Sequence, residues 1–211
     1  MQTRWLKQFF LVLAGGLLAQ SLAFAQSDAV GRLTALLADV QTIEANFEQL
    51  TLDASGTRIQ ELQGRMQLKK PGKFVWVTEE PLPQELVSDG EKIWLYDPDL
   101  LQVTIQNMDE RMSHTPALLL SGQADKISES FEVSYQSNER MIEFSLLPKD
   151  PDTLFDRLRL TFVNGELNDM HLEDAVGQKT SLYFFDLRMN QPLADDLFVF
   201  AVPDGVDVIE E

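Results

Sequence analysis

Few residues of this sequence carry side chains suited to covalent chemistry. Its 211 residues include two histidines and no cysteine, so the chain has no thiol nucleophile and cannot form a disulfide. Ser113 and His114 are neighbours in sequence, but neither lies in a nucleophile-elbow motif. The HExxH, P-loop and dinucleotide-binding motifs do not occur. The sequence therefore predicts no catalytic residue, no cofactor and no enzyme activity, and a hydrolase is the least favoured interpretation.

Two pairs of closely spaced carboxylates are the remaining candidates for metal chemistry. Asp97 and Asp99 flank a proline, which is typical of a turn. Asp195 and Asp196 are expected at the end of a short helix on an acidic surface. A hard cation such as Ca²⁺ requires more oxygen ligands than either pair supplies. We therefore predict no metal site.

Large apolar side chains are the more informative group. The sequence contains 13 phenylalanines, 3 tryptophans and 7 methionines. Met66, Leu68, Phe74 and Trp76 lie on one face of two paired strands if the turn at Pro71-Gly72 preserves their alternation. The same alternation of apolar and polar residues recurs at Ile142, Phe144 and Leu146, at Leu158, Leu160 and Phe162, and at Met170 and Leu172. Such strands have one dry face and one solvated face.

Short segments with strand-like patterns, separated by turn signals, make up most of the sequence. Asn164-Gly165 and Asp89-Gly90 predict tight hairpins with positive φ at both turn residues, so most neighbouring strands should pair antiparallel. Many short strands at regular spacing favour a curved sheet or a barrel. The predicted strands are Ala45–Leu52, Arg58–Lys69, Lys73–Thr78, Gln84–Ser88, Lys92–Tyr96, Leu101–Gln106, Phe131–Tyr135, Met141–Leu147, Phe155–Val163, Glu166–Asp174, Thr180–Leu187 and Phe198–Val202.

Three short helical segments are predicted beside these strands. Asp28 is expected to cap the first helix, which presents Val30, Leu33, Leu37 and Val40 at helical spacing. The second runs from Thr115 to Ser121, and the third lies at Pro192–Asp196. These helices are few for so large a sheet, so the surplus of apolar surface suggests a ligand cavity. The alternative is a dry core sealed by helices and sheet, which composition alone favours.

The N-terminal residues have the pattern of a secretory signal peptide. Arg4 and Lys7 precede the apolar run Phe9–Ala19, and Ala23-Phe24-Ala25 is a small-x-small cleavage site. We expect residues 1–25 to be removed and residues 26–211 to form one domain. The alternative is a retained membrane anchor, but the apolar run is short for a spanning helix.

The charge balance of the chain is strongly acidic. The formal net charge is −17 at pH 7, and removal of Arg4 and Lys7 makes it more negative. An acidic surface repels nucleic acid and anionic lipid headgroups over about a Debye length. We therefore expect no nucleic-acid partner and no stable membrane insertion, and we expect a monomer.

Five segments together resemble a known family over essentially the whole predicted mature chain. Within them, the order Val-Ser-Asp-Gly, then tryptophan, then Tyr-Asp-Pro is the most specific feature. The chain resembles the outer-membrane lipoprotein carrier family, LolA. The segments are Ala45–Gln49, Gly64–Trp76, Leu86–Pro98, Thr115–Leu120 and Asp204–Val208.

The resemblance implies a fold and a binding site. It implies a mainly β fold with some α-helix, an incomplete, half-open antiparallel β-barrel of about eleven strands, covered by a helical lid. This implication reverses the preference for a sealed core. The acyl chains of the cargo would contact Phe47, Met66, Leu68, Phe74, Trp76, Leu118, Leu119, Leu120, Phe144, Phe162 and Met170.

The resemblance also implies partners in the bacterial envelope. The protein would be periplasmic, would accept acylated lipoproteins from an inner-membrane ABC transporter, and would deliver them to the receptor lipoprotein LolB. The chain cannot itself be that receptor, because it has no cysteine to acylate. The alternative from another class is an envelope-stress regulator with a similar half-barrel, but such regulators tend to have a second domain, for which this chain has no room.

One residue departs from the family pattern. Family members usually have arginine immediately before the proline of the strand–turn segment, where it hydrogen-bonds lid residues. Here that residue is Lys70. Its alternation with Met66 and Leu68 predicts that it points inward beneath the Thr115–Ser121 helix and acts as a weak latch. The alternative is a turn lysine whose amine is in water.

Overall fold

The computed structural model describes residues 28–79, 81–108, 120, 127–150, 153 and 155–210. Within these residues, twelve strands form a single sheet. The strands are β1 (Thr42–Leu52), β2 (Arg58–Lys69), β3 (Lys73–Thr78), β4 (Gln84–Asp89), β5 (Lys92–Asp97), β6 (Gln102–Asn107), β7 (Phe131–Ser137), β8 (Met141–Pro148), β9 (Arg157–Val163), β10 (Glu166–Glu173), β11 (Lys179–Met189) and β12 (Asp207–Glu210).

The sheet is an open array and is not closed into a barrel. Its strand order is β12-β6-β5-β4-β3-β2-β1-β11-β10-β9-β8-β7, so β12 and β7 form its edges. All strand pairs are antiparallel except β12 and β6, which run parallel. The predicted half-open, mainly antiparallel architecture is confirmed, with one strand more than the family resemblance implied.

Strand register places the predicted apolar residues on one face. Met66 pairs with Trp76 and Leu68 with Phe74, so the Pro71-Gly72 turn preserves the alternation as predicted. Pairing of Phe47 with both Gly64 and Phe184 extends this face from β2 through β1 to β11. We call it the inner face and the opposite one the outer face.

A helix, α1 (residues 28–38), packs against the inner face. Its residues Ala29, Leu33 and Leu37, with Val40 just after it, are buried in the same cluster as the apolar residues of the strands. The predicted apolar stripe is therefore confirmed, apart from Val30, which is only partly buried. Asp28 is already helical, so its predicted role as the N-cap is wrong. A short second helix, α2 (Ile127–Ser130), precedes β7.

The segment between β11 and β12 crosses the outer face. A 3-10 helix at Asp195–Phe198 buries Phe198 against Val75 and Val87. The predicted strand Phe198–Val202 is therefore wrong, and the predicted helix at Pro192–Asp196 is displaced toward Phe198. The apolar alternation in this segment serves contacts across the sheet, because the chain runs over the strands before it pairs with β6.

The two predicted hairpin turns differ in the structure. Asn164 and Gly165 both have positive φ, 53° and 86°, as predicted. At the other turn only Gly90 has positive φ, because Asp89 is the last residue of β4.

Among the described residues, no helix has the length and apolar character needed to cross a membrane. The predicted signal peptide lies outside the described residues.

Candidate functional site

The inner face carries one continuous cluster of buried apolar side chains. Eight residues of the predicted acyl-binding set are fully buried in it, and Trp76 is partly buried against it. The predicted residues Leu118 and Leu119 lie outside the described residues. The eight buried residues are Phe47, Met66, Leu68, Phe74, Leu120, Phe144, Phe162 and Met170.

Helix α1 covers this cluster in the structure. The side chains of Leu33 and Leu37 lie between the helix and the sheet and are almost entirely inaccessible to solvent. Leu33 and Leu37 therefore belong to the same buried core as Phe74 and Phe144, and an apolar ligand that takes their place on the inner face requires α1 to move. Exposing each of these leucines costs about 1.5–3 kcal/mol.

Aromatic contact and a glycine together shape one end of the cluster. The rings of Phe47 and Trp76 are 4.4 Å apart and tilted by 30°. The Phe47 ring lies over Gly64, where an added Cβ would come within 2.5 Å of the ring and 2.1 Å of the Val77 carbonyl oxygen. Only glycine leaves enough space for Phe47 to lie flat on the sheet and reach Trp76.

Lys70 joins the sheet to the C-terminal end of α1. Its Nζ donates a hydrogen bond to the Leu37 carbonyl oxygen, which also accepts the Val40 backbone N–H at the end of the helix. Burial lowers the pKa of the Lys70 ammonium. Lys70 is half-buried, and the described contact is with α1. Of its predicted partner, the Thr115–Ser121 helix, only Leu120 lies among the described residues.

A second polar contact holds the other end of α1. The Tyr135 hydroxyl donates to Asp28 Oδ2 at 2.8 Å, and the Arg32 guanidinium lies 4.9 Å from the centre of the Tyr135 ring. The hydrogen bond from Tyr135 outweighs partial burial and, with Arg32, lowers the pKa of Asp28. α1 is therefore attached to the sheet by side chains near both of its ends.

A cleft of about 340 Å³ opens beside Trp76 at one end of the inner face. Leu62, Trp76, Leu86 and Leu95 form an apolar wall on one part of the cleft, and Leu95 keeps 38% of its surface exposed. The cleft was not predicted from the sequence, although the alternation through Phe47 and Trp76 continues into residues that line it. The other residues that line the cleft are Gln49, Gln60, Thr78, Leu82, Pro83, Gln84, Asp97 and Asp99.

A polar cluster on the outer face was also missed. His171 Nδ1 lies 2.8 Å from Ser181 Oγ, and its Nε2 lies 3.0 Å from Asp169 Oδ1, where the contact is too bent for a good hydrogen bond. Burial would raise the pKa of Asp169, but contacts with His171, Asn168 and Thr161 outweigh it and lower that pKa. The cluster lies among antiparallel strands β9, β10 and β11 and bonds these strands together.

The carboxylate pairs considered for metal binding have other partners. Asp97 Oδ1 accepts the backbone N–H groups of Asp99 and Leu100, each at 3.0 Å, which confirms the predicted turn. Asp195 Oδ1 accepts hydrogen bonds from Lys69 and Lys73, at 3.0 and 2.9 Å. Among the described residues, no group of three or more His, Cys, Asp or Glu side chains is arranged to hold a metal ion.

Known proteins that resemble this chain identify its family. The model of the family "Outer membrane lipoprotein carrier protein LolA" matches residues 38–201. The chain belongs to the LolA family. The outer-membrane lipoprotein carrier protein of Pseudomonas paraeruginosa is 55% identical over 202 residues, covering 95% of this chain and 97% of the relative.

Two solved structures show how widely the LolA fold is shared. An uncharacterized conserved protein from Thermus thermophilus has a TM-score of 0.53 at 11% identity, covering 92% of this chain and 99% of the other. MucB has a TM-score of 0.50 at 13% identity, covering 87% of this chain and 66% of MucB. At these identities the likeness shows a common fold and does not transfer a function.

Proposed function

We propose that this protein is a periplasmic, non-enzymatic carrier of acylated lipoproteins. The observation that carries the proposal is the continuous apolar inner face beneath α1, which opens beside Trp76 into a cleft with an apolar wall. Acyl chains of the cargo replace α1 against Phe47, Met66, Leu68, Phe74, Phe144, Phe162 and Met170, and Trp76 lies at the entrance. Leu118, Leu119 and Leu120 would form part of the lid.

The energetics of acyl chains support a carrier that acts without nucleotide. Burying one CH₂ group contributes about 0.8 kcal/mol, so a chain of about 16 carbons contributes roughly 12 kcal/mol. Displacing Leu33 and Leu37 of α1 costs less than one such chain provides. Binding of cargo can therefore open the closed structure.

The proposed route has a donor and an acceptor. An inner-membrane ABC transporter releases the lipoprotein to the carrier, and the receptor lipoprotein LolB accepts it at the outer membrane. Family membership supports this route. The contacts at both ends of α1 support a carrier that closes when empty and so favours release of its cargo.

A retention assay with matched tryptophan variants tests the proposal. An acylated lipoprotein in detergent is mixed with the protein, the detergent is removed, and the soluble complex is quantified by gel filtration. We expect Trp76→Gln to reduce retained cargo about tenfold, because it removes apolar contact at the entrance. Trp94→Gln is the control, because Trp94 packs against Phe200, which lies on the outer face.

The same lipoprotein without its acyl chains provides the second control. It should not be retained. Equal retention of acylated and unacylated cargo, or equal effects of the two tryptophan variants, would contradict the proposal.

A further inference from the structure

The cleft beside Trp76 combines an apolar wall with carboxylates at its rim. Acylated lipoproteins and membrane phospholipids both present acyl chains, so the apolar inner face alone cannot distinguish them. The two ligands differ in the chemical group that is attached to the acylated glycerol. The glycerol end of a lipoprotein anchor is uncharged, whereas a phospholipid carries a phosphate.

The polar groups of the cleft favour an uncharged ligand. Side-chain amides of Gln49, Gln60 and Gln84 line it and can donate to ester or amide carbonyls. Among the residues that the structure describes, those lining the cleft include Asp97 and Asp99 but no lysine or arginine. A phosphate in this cleft would therefore lie near carboxylates, with no cationic side chain among the described lining residues.

The local structure holds Asp97 at this rim. Its Oδ1 accepts the N–H groups of Asp99 and Leu100, and Gln84 Nε2 lies 3.5 Å from its Oδ2. A fixed carboxylate beside a partly desolvated apolar wall repels an anion more strongly than a mobile one in bulk water.

We propose that Asp97 and Asp99 make the cleft selective for the uncharged acylglycerol end of the cargo by repelling phosphate-bearing lipids. This inference rests on the proposed carrier function and concerns the same site. Repulsion by two carboxylates at about 6 Å disfavours a phosphate roughly threefold to tenfold at low ionic strength. Salt weakens this selection because it screens the charges.

The test compares two soluble lipids with identical chains, dioctanoylglycerol and dioctanoylphosphatidylglycerol. Binding is followed by the fluorescence of Trp76 in residues 26–211, which lack Trp5, with Trp94→Phe, at low and high salt. We expect the uncharged lipid to bind about threefold to tenfold more tightly at low salt. The double substitution Asp97→Asn with Asp99→Asn should remove that difference and leave dioctanoylglycerol binding unchanged.

A matched pair of carboxylates elsewhere provides the control. Asp89 Oδ1 accepts the N–H groups of Glu91 and Lys92, as Asp97 does for its own turn, but neither Asp89 nor Glu91 lines the cleft. Asp89→Asn with Glu91→Gln should keep the full difference between the lipids.

The outcomes separate this inference from the proposed function. If neither lipid changes Trp76 fluorescence, the apolar site itself is wrong and both proposals fail. If both lipids bind, but the difference is absent or is unaffected by Asp97→Asn with Asp99→Asn, only the selectivity is wrong. If Asp89→Asn with Glu91→Gln also abolishes the difference in affinity between the lipids, that difference arises from net charge. The proposed role of Asp97 and Asp99 would then be wrong.

Discussion

Gly64 is a residue at which the inner face tolerates little change. We expect Gly64→Ala to destabilise the protein by about 1–3 kcal/mol, because the new Cβ meets the Val77 backbone oxygen as well as the Phe47 ring. Denaturant unfolding measures the loss. Gly31→Ala is the matched control, since no atom lies within 4 Å of a Cβ added at Gly31. An unchanged free energy of unfolding in Gly64→Ala would show that Phe47 does not depend on this space.

Asp169 should make stability depend on pH. Its folded pKa is lowered, so its contribution is present above the ordinary value of 3.8 and is lost as the pH falls through the folded pKa. We expect Asp169→Asn to cost about 1 kcal/mol at neutral pH and progressively less below pH ~4. Unfolding midpoints of both proteins across this range test it, with the exposed Asp156→Asn as control. A difference that stays constant as the pH falls would contradict the assignment.

For individual residues, the sequence predicts which face of the sheet a side chain lies on better than it predicts which side chains it contacts. The alternation of Met66, Leu68, Phe74 and Trp76 sufficed to assign them to one face. The Asp169 cluster could not be found in this way, because it depends on the β9–β10–β11 register and on the irregularity between Leu167 and Asp169. Thr161 alternates with Leu160 and Phe162, so it was expected on the solvated face. It is buried, and the register pairs it with Asp169.

Helix α1 is the element whose stability should control access to the inner face. Gly31 is exposed within it and has unused space around its Cα. We expect Gly31→Ala to stabilise the protein by about 0.5–1 kcal/mol, because alanine favours the helix. Thermal unfolding should show a rise of a few degrees for a domain of this size. A lower melting temperature would mean that α1 requires a glycine at this position.

Lys70 should tune the attachment of α1. Lys70→Leu removes the hydrogen bond to the Leu37 carbonyl, so the empty protein opens more easily, holds lipoprotein longer and transfers it more slowly. Lys70→Arg can form several hydrogen bonds there and should strengthen the closed state, with slightly weaker cargo retention. The measurement is the transfer rate from loaded protein to the receptor lipoprotein. Equal rates for Lys70→Leu and the unmodified protein would assign Lys70 to the turn alone.

Most strands were predictable from the sequence, and the segment around Phe198 shows why one predicted strand was wrong. Arg58–Lys69 and Lys73–Thr78 match β2 and β3 residue for residue, because paired alternation and a Pro-Gly turn define both limits. The segment around Phe198 has the same alternation, yet it lies across the outer face. Periodicity reports that alternate side chains are buried, but it does not report which surface buries them.

For the whole molecule, recognition should depend on the lipid anchor and hardly at all on the attached protein. The buried cluster of the inner face is apolar, and the formal charge of −17 repels most acidic partners equally. We expect lipoproteins with different peptide sequences but the same acyl anchor to bind within about tenfold of one another. Competition between two such cargoes for the purified protein measures this. Loss of binding on changing the peptide alone would contradict it.

The pairing of β1 with β11 has a consequence for how the chain reaches its final state. Phe47 pairs with Phe184, so the β2–β6 and β7–β10 parts of the sheet meet only at this seam. Contacts between such distant segments form slowly, since a long loop must close first. Strands β1 to β6 pair with their neighbours in sequence, but β11, the second neighbour of β1 in the sheet, lies near the end of the chain. An inner face that spans β1 and β11 therefore cannot form until nearly the entire polypeptide is available.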